Sequence, residues 1–165
     1  MNKYRENLIA LVLDFMLSCM KINGVQRIAI IGSLISEKVK PKDVDLLVNI
    51  SDELDLTHLA KISRRLIGKS GALSSGADIF LVNTQNEYLG RICLWKDCRP
   101  GVRLSCDAQN CGKRKYLHDD LETIKLRNDI IDNPSLIIFP NVIRNKPIPN
   151  DVENGIINRL INNAL

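Results

Sequence analysis

Aromatic residues are scarce in this chain: they make up 4% of it, with a single tryptophan. Its core must therefore be aliphatic, and it has few rings on which single-stranded nucleic acid could stack. No apolar run approaches the ~18–20 residues needed to cross a bilayer, so no membrane partner is expected. Internal repeats, low-complexity tracts and long linkers are also missing. So are the Gly-Lys-Ser/Thr of a phosphate-binding loop, the Gly-x-Gly-x-x-Gly of a dinucleotide fold and a Ser-His-Asp pattern. Apolar residues at 45% and charged residues at 25% exclude a disordered tail, a collagen-like repeat and a disulfide mini-scaffold. The 165 residues suit one domain, or one with a small appendage, burying roughly 70% of its unfolded surface.

The net charge of +4 is too mild to name a partner, but its distribution is uneven. Residues 1–90 carry 11 basic and 10 acidic side chains, residues 91–118 seven and two, and residues 119–165 five and seven. The central segment is thus the basic one, and it holds four of the five cysteines. Lys3 and Arg5 precede the apolar Leu8–Leu13, and Leu17-Ser18-Cys19 has some likeness to a lipoprotein cleavage site. Glu6 and Asp14 interrupt that pattern, so the segment reads as an amphipathic helix and the protein as cytoplasmic. Thiols stay reduced there, and clustered cysteines are metal ligands before they are disulfides.

Helical spacing is expected from Asn2 to about Ile22, with Leu8, Leu11, Val12, Phe15 and Cys19 on one face. Strands are expected at Gln26–Ile31, Asp43–Ile50 and Ala77–Val82, with a further one at Gly90–Trp95. A second helix is expected over Asp55–Lys69, followed by a loop bracketed by Gly68, Gly71 and Gly76. Asp120–Asp132 reads as helical, Leu136–Phe139 as a short apolar run, and Asp151–Leu165 as a terminal helix capped by Asn150.

The stretch that carries chemistry is Ile28-Ala29-Ile30-Ile31-Gly32-Ser33, nine residues, then Asp43-Val44-Asp45-Leu46-Leu47-Val48. Side chains two apart in a strand share a face, so Asp43 and Asp45 project together. Two such carboxylates repel one another unless a cation sits between them. Hard divalent cations such as Mg²⁺ take carboxylate and phosphate oxygens. Gly32-Ser33, ending the previous strand, can offer main-chain N–H groups and a hydroxyl to phosphate. A third acid, Asp78, lies in another apolar strand, where it needs an edge, a partner or a metal.

This ordered set resembles the DNA polymerase beta-like nucleotidyltransferase superfamily, especially its minimal members. The resemblance covers about residues 26–82. It implies an α+β fold: a polymerase-beta-like mixed sheet flanked by helices, here with a Cys-rich loop insert and a helical C-terminus. Residues 1–90 would be the nucleotidyltransferase core, 91–118 a Cys-rich basic segment and 119–165 a mainly helical extension of the same domain. It also implies a metal-dependent enzyme that transfers an NMP from an NTP, ATP first, to a hydroxyl on protein, RNA or a small molecule. Asp43 and Asp45 would hold the metal on the triphosphate. Asp78 would join them on a second Mg²⁺ or Mn²⁺ that activates the acceptor, and Gly32 and Ser33 would hold the β- and γ-phosphates. Relatives of this size include antitoxins that modify a paired toxin, so a toxin–antitoxin type protein partner is one expectation. Many minimal members follow Gly-Ser with a small residue, Arg and Gly. This chain has Leu34-Ile35-Ser36-Glu37 instead, which leaves Lys42, Lys38 or Lys40 to supply phosphate-binding charge.

Cys93-x4-Cys98-x7-Cys106-x4-Cys111 places four thiols within 19 residues, a spacing able to close a structural Zn²⁺ site, with His118 as a substitute ligand. Arg99 and Arg103, flanking Pro100-Gly101, are the basic residues of this segment best placed to reach a phosphate. The competing reading is a non-catalytic module on the same fold, which binds protein or RNA through the basic segment.

Overall fold

Asn2 starts the first helix: its side-chain oxygen accepts from the N–H groups of Tyr4 and Arg5. The helix, α1, spans Lys3–Cys19 and buries Leu8, Ile9, Val12, Met16 and Cys19. In the computed structural model, residues 2–93 and 106–164 are described. Strand β1 follows at Val25–Ile31, then a 3-10 turn over Gly32–Ile35, strand β2 at Asp43–Ile50 and helix α2 at Thr57–Ala72. Strands β3 (Gly76–Val82), β4 (Tyr88–Ile92) and the short β5 (Leu117–His118) complete one side of the sheet. Helix α3 (Asn128–Asp132) precedes β6 (Leu136–Phe139) and β7 (Ile143–Arg144).

The chain ends in a helical stretch of α4 (Asn150–Val152), a π-helical turn at Glu153–Ile157 and α5 (Asn158–Ala164). Pro149 precedes its first residue, and Asn150 makes no side-chain cap. Gly155 lets this stretch lie against α1: a methyl group there would come within 2.4 Å of Ile9.

The architecture is α+β. Seven strands form one mixed sheet in the order β5-β4-β3-β2-β1-β6-β7. β2 and β3 are the parallel pair and the others run antiparallel. A parallel pair needs a crossover, and α2 supplies it. Residues 119–165 contribute strands β6 and β7 to this sheet as well as helices. Among the described residues no helix is long and apolar enough to cross a membrane.

The two faces of the sheet differ. Val44, Leu46, Val48 and Ile50 of β2 join Ile28, Ile30, Ile79 and Leu81 in the main core, against α1, α2 and the C-terminal helical stretch. The opposite face carries a smaller cluster of Ala29, Ile31, Leu47, Val82 and Ile137, covered by Ile131 of α3. That cover lies over one end of the face. At the other end stand Asp43, Asp45 and Asp78.

Two expected boundaries differ. Gly68 and Gly71 lie inside α2, not in a loop after it. Both face open space, and burial of Leu59, Ile62 and Leu66 on the inner side outweighs their poor helix propensity. Of the helix expected over Asp120–Asp132, only Asn128–Asp132 forms. Its start is diverted because Asp119 and Asp120 turn their carboxylates inward to bond other segments. The strand expected at Gly90–Trp95 is Tyr88–Ile92, and Trp95 lies outside the described residues.

One buried charge fastens the turn after β1. Arg5 is 5% exposed. Its guanidinium donates to the carbonyls of Leu34 (3.0 Å) and Lys38 (2.8 Å) and to both Asp151 oxygens (2.6 and 3.0 Å). Helix α1, the Gly32–Lys38 segment and the start of α4 are thereby joined at one point. Breaking a buried pair from one side strands the other charge. Arg5→Met is expected to cost about 3 kcal/mol, read as a lowered urea midpoint, and Arg5→Met/Asp151→Leu is expected to recover part of it.

Candidate active site

The site is built by register. β2 and β3 pair so that Asp45 stands directly opposite Asp78, and Asp43 opposite Gly76. Adjacent strands lie about 4.8 Å apart, so these carboxylates share a patch of one sheet face. The Asp45 carboxyl is pushed up to about 6: burial is the largest cause, followed by the charges of Asp78 and then Asp43. The part of that shift that comes from Asp78 and Asp43 is the part that a cation would relieve.

The antiparallel pairing of β1 with β2 sets Ile31 opposite Asp45. The chain therefore turns at Gly32 immediately beside that carboxylate. Gly32 has φ +77°, and a Cβ there would lie 2.3 Å from Asp45 Oδ2. Both the backbone conformation and the space demand glycine. Ser33, second in the 3-10 turn, has its hydroxyl 3.4 Å from the Asp43 carbonyl, and its own carbonyl accepts from the Ser36 hydroxyl at 2.6 Å. Gly32, Ser33, Asp43, Asp45 and Asp78 are thus gathered at one end of the sheet face. Lys42 is exposed next to Asp43, and its carbonyl accepts from the Gly76 N–H at 2.9 Å.

Three residues of this site were not expected from the sequence. Arg91, on β4, donates through Nη1 to Asp78 Oδ1 at 2.9 Å and through Nε to Asp120 Oδ2 at 2.6 Å. Asp120 is fully buried, and its second oxygen accepts from the Tyr88 hydroxyl at 2.8 Å. Burial and the bond to Asp120 hold the Tyr88 phenol well above its ordinary range. Arg91 loses some hydration, but its bonds to Asp120 and Asp78 outweigh that and strengthen its hold on the proton. Asp78 is therefore fixed on the side away from Asp45.

An irregularity in the β3–β4 ladder, where Leu81 pairs with Gly90 and Val82 with Tyr88, puts Tyr88 and Arg91 together although they are three apart. Gly90 permits it, with φ +134° and no room for a side chain against the His118 carbonyl, 2.3 Å from a built Cβ. Gly90 in a short strand is the available sequence signal, since a strand glycine often marks a bulge. Asp120, more than 40 residues downstream of Asp78, gave none.

The cysteines fall in three settings. Cys93 is buried at the end of β4, with its N–H bonded to the Tyr116 carbonyl at 2.8 Å. Cys106 and Cys111 are partly buried. Cys98, Arg99 and Arg103 lie outside the described residues. Comparison with family models, with curated proteins and with solved structures gives no match.

Two outcomes follow for the site. Gly32→Ala is expected to destabilise the fold by more than about 1 kcal/mol, because φ is positive and the methyl meets a carboxylate. Circular dichroism melting checks it. The second concerns pH. Asp45 binds its proton more tightly folded than unfolded, so its contribution to stability is fully present below about pH 4 and is lost as pH rises through about 6. Asp45→Asn removes that loss. With screening by solvent, the variant is expected to be about 1 kcal/mol more stable than wild type at pH 7.5 and equal to it near pH 4. Urea titrations at the two pH values measure the difference.

Proposed function

We propose that this chain is a divalent-metal-dependent nucleotidyltransferase of the DNA polymerase beta-like type, moving an NMP from an NTP to a hydroxyl acceptor. The observation that carries the reading is the convergence of Asp43, Asp45 and Asp78 on one sheet face beside the Gly32-Ser33 turn. Carboxylates are the ligands that Mg²⁺ and Mn²⁺ take, and because the oxygens of these three do not all lie within 4.8 Å of one another, a bound ion would draw them inward. Asp43 and Asp45 would hold the ion that meets the triphosphate, and Asp78 would complete the set on the acceptor side. When bound, such ions neutralise the triphosphate and stabilise the attacking and leaving oxygens.

The protein's own tasks are then limited. The Gly32-Ser33 turn presents main-chain N–H groups and a hydroxyl to phosphate oxygens. Asp78, oriented by Arg91 and through it by Asp120, takes the proton of the acceptor hydroxyl. The acceptor oxygen bonds to the α-phosphorus, and the bond to pyrophosphate breaks. Arg5 keeps the turn at its distance from Asp45. The rigid β2–β3 register supplies the placement that such chemistry needs, because positioning and charge stabilisation do most of the work in phosphoryl transfer. ATP is the first donor to test, and the acceptor is a protein, an RNA or a small molecule, with a toxin-like protein partner among the candidates.

The experiment is label transfer. Purified protein with Mg²⁺ or Mn²⁺ and each α-labelled NTP is incubated with cell extract, beside Asp43→Asn/Asp45→Asn. Label in a protein, RNA or small-molecule band with wild type, and loss of at least about a hundredfold in the variant, is the expected result. Transfer with neither protein, together with equal NTP and metal binding by both, would contradict the reading and favour a partner-binding module that uses the basic segment.

A further inference from the structure

The segment after residue 105 is anchored to the sheet edge by one acid. Asp119 is 8% exposed, and its carboxylate accepts from the Asn110 main-chain N–H (3.0 Å) and from the Asn110 side-chain amide (2.9 Å). Its carbonyl accepts from the Gln109 N–H at 3.2 Å. This anchoring folds Cys106 and Asp107 back over β5, on either side of the His118 ring. Cys106 Sγ lies 3.7 Å from Nδ1, and the Asp107 carboxylate pairs with Nε2. Among the described residues, these three are the group whose metal-ligating atoms all lie within 4.8 Å of one another.

The geometry points to a zinc site at this sheet edge, with Cys106 Sγ and His118 Nδ1 as two of the ligands and Asp107 as the partner of the ring's other nitrogen. Two distances support it. A Zn–S bond of about 2.3 Å and a Zn–N bond of about 2.05 Å, at a tetrahedral angle, put sulfur and nitrogen about 3.6 Å apart. The observed separation is 3.7 Å. The carboxylate explains the rest. A metal-binding imidazole usually donates its second N–H to an acid, which fixes the tautomer and strengthens the ligand. With Nε2–H on Asp107, the Nδ1 lone pair is turned toward the Cys106 sulfur. Thiolate and imidazole together select zinc-like ions over Mg²⁺.

This assignment changes the ligand set that cysteine spacing alone offers. The Cys93 thiol does not belong to the group, while His118 does. The site uses none of the three carboxylates and does not rest on the nucleotidyltransferase reading.

The test is metal content and affinity. Protein purified without chelator is expected to contain one zinc per chain. Co²⁺ added to the chelator-stripped protein is expected to give the visible bands of a tetrahedral thiolate site. Cys106→Ser and His118→Ala are expected to lose the metal, and Cys93→Ser to keep it. Because a ligand variant can unfold, Asp107→Asn provides the conservative arm. It keeps both ligands and is expected to weaken Zn²⁺ binding roughly 10- to 100-fold in competition with a chromophoric chelator, with unchanged circular dichroism. Zinc-free wild-type protein that gives no Co²⁺ spectrum, or His118→Ala retaining full zinc, overturns the assignment.

Discussion

The parallel pairing of β2 with β3 is the constraint from which the rest of this molecule follows. It sets Asp45 against Asp78 in one row and Asp43 against Gly76 in the next. A shift of one residue would turn Asp78 into the aliphatic core and bring Ala77 or Ile79 out beside Asp45, because strand side chains alternate. Burial of Ala77, Ile79 and Leu81 in the main core prevents that shift. The same hydrophobic lock that stabilises the sheet therefore holds like charges together. Burial first, and then the charges of Asp78 and Asp43, hold the Asp45 proton up to about 6.

The surrounding structure divides the support of these acids between two charged devices. Arg91 and Asp120 brace Asp78 from the β4 side, with Tyr88 closing the network. Arg5 and Asp151 brace the Gly32 turn from beneath, where α1 meets the C-terminal helical stretch. Neither device places a cation between the three acids. Arg91 bonds Asp78 on the side away from Asp45, and Arg5 spends its donors on carbonyls and Asp151. Among the described residues the patch therefore carries unbalanced negative charge, the condition under which a divalent ion would be stabilising.

Much of this was legible in the sequence, for physical reasons. The strands that carry Asp43, Asp45 and Asp78 are continuous apolar runs, so their period and their acids stood out. Gly32 ended a strand, and its positive φ agrees with its place before Ser33. What could not be read was long-range. Asp120 is separated from Arg91 by the whole Cys-rich segment, and it meets it only because β5 pairs with β4. Arg5 stood out in the sequence only as a basic residue ahead of the apolar Leu8–Leu13, yet it is buried because α1, the Gly32 turn and α4 converge there. Gly68 and Gly71 read as loop punctuation, and packing on the far side of α2 decided otherwise. His118 was a secondary candidate beside four cysteines. The anchoring of its loop by Asp119, which spacing does not encode, brings Cys106 to its ring.

The central claim is that Asp43, Asp45 and Asp78 form a cation site able to take a triphosphate. The most direct measurement is Mn²⁺ titration followed by loss of the free-ion electron paramagnetic resonance signal, at pH 7.5 and pH 5, with and without a non-hydrolysable ATP analogue. The account predicts saturable binding at pH 7.5 beyond that of the analogue alone, strengthened by the analogue and weakened at pH 5 as Asp45 takes up its proton. Binding that is absent at pH 7.5, or that is unchanged in Asp43→Asn/Asp45→Asn, would contradict it.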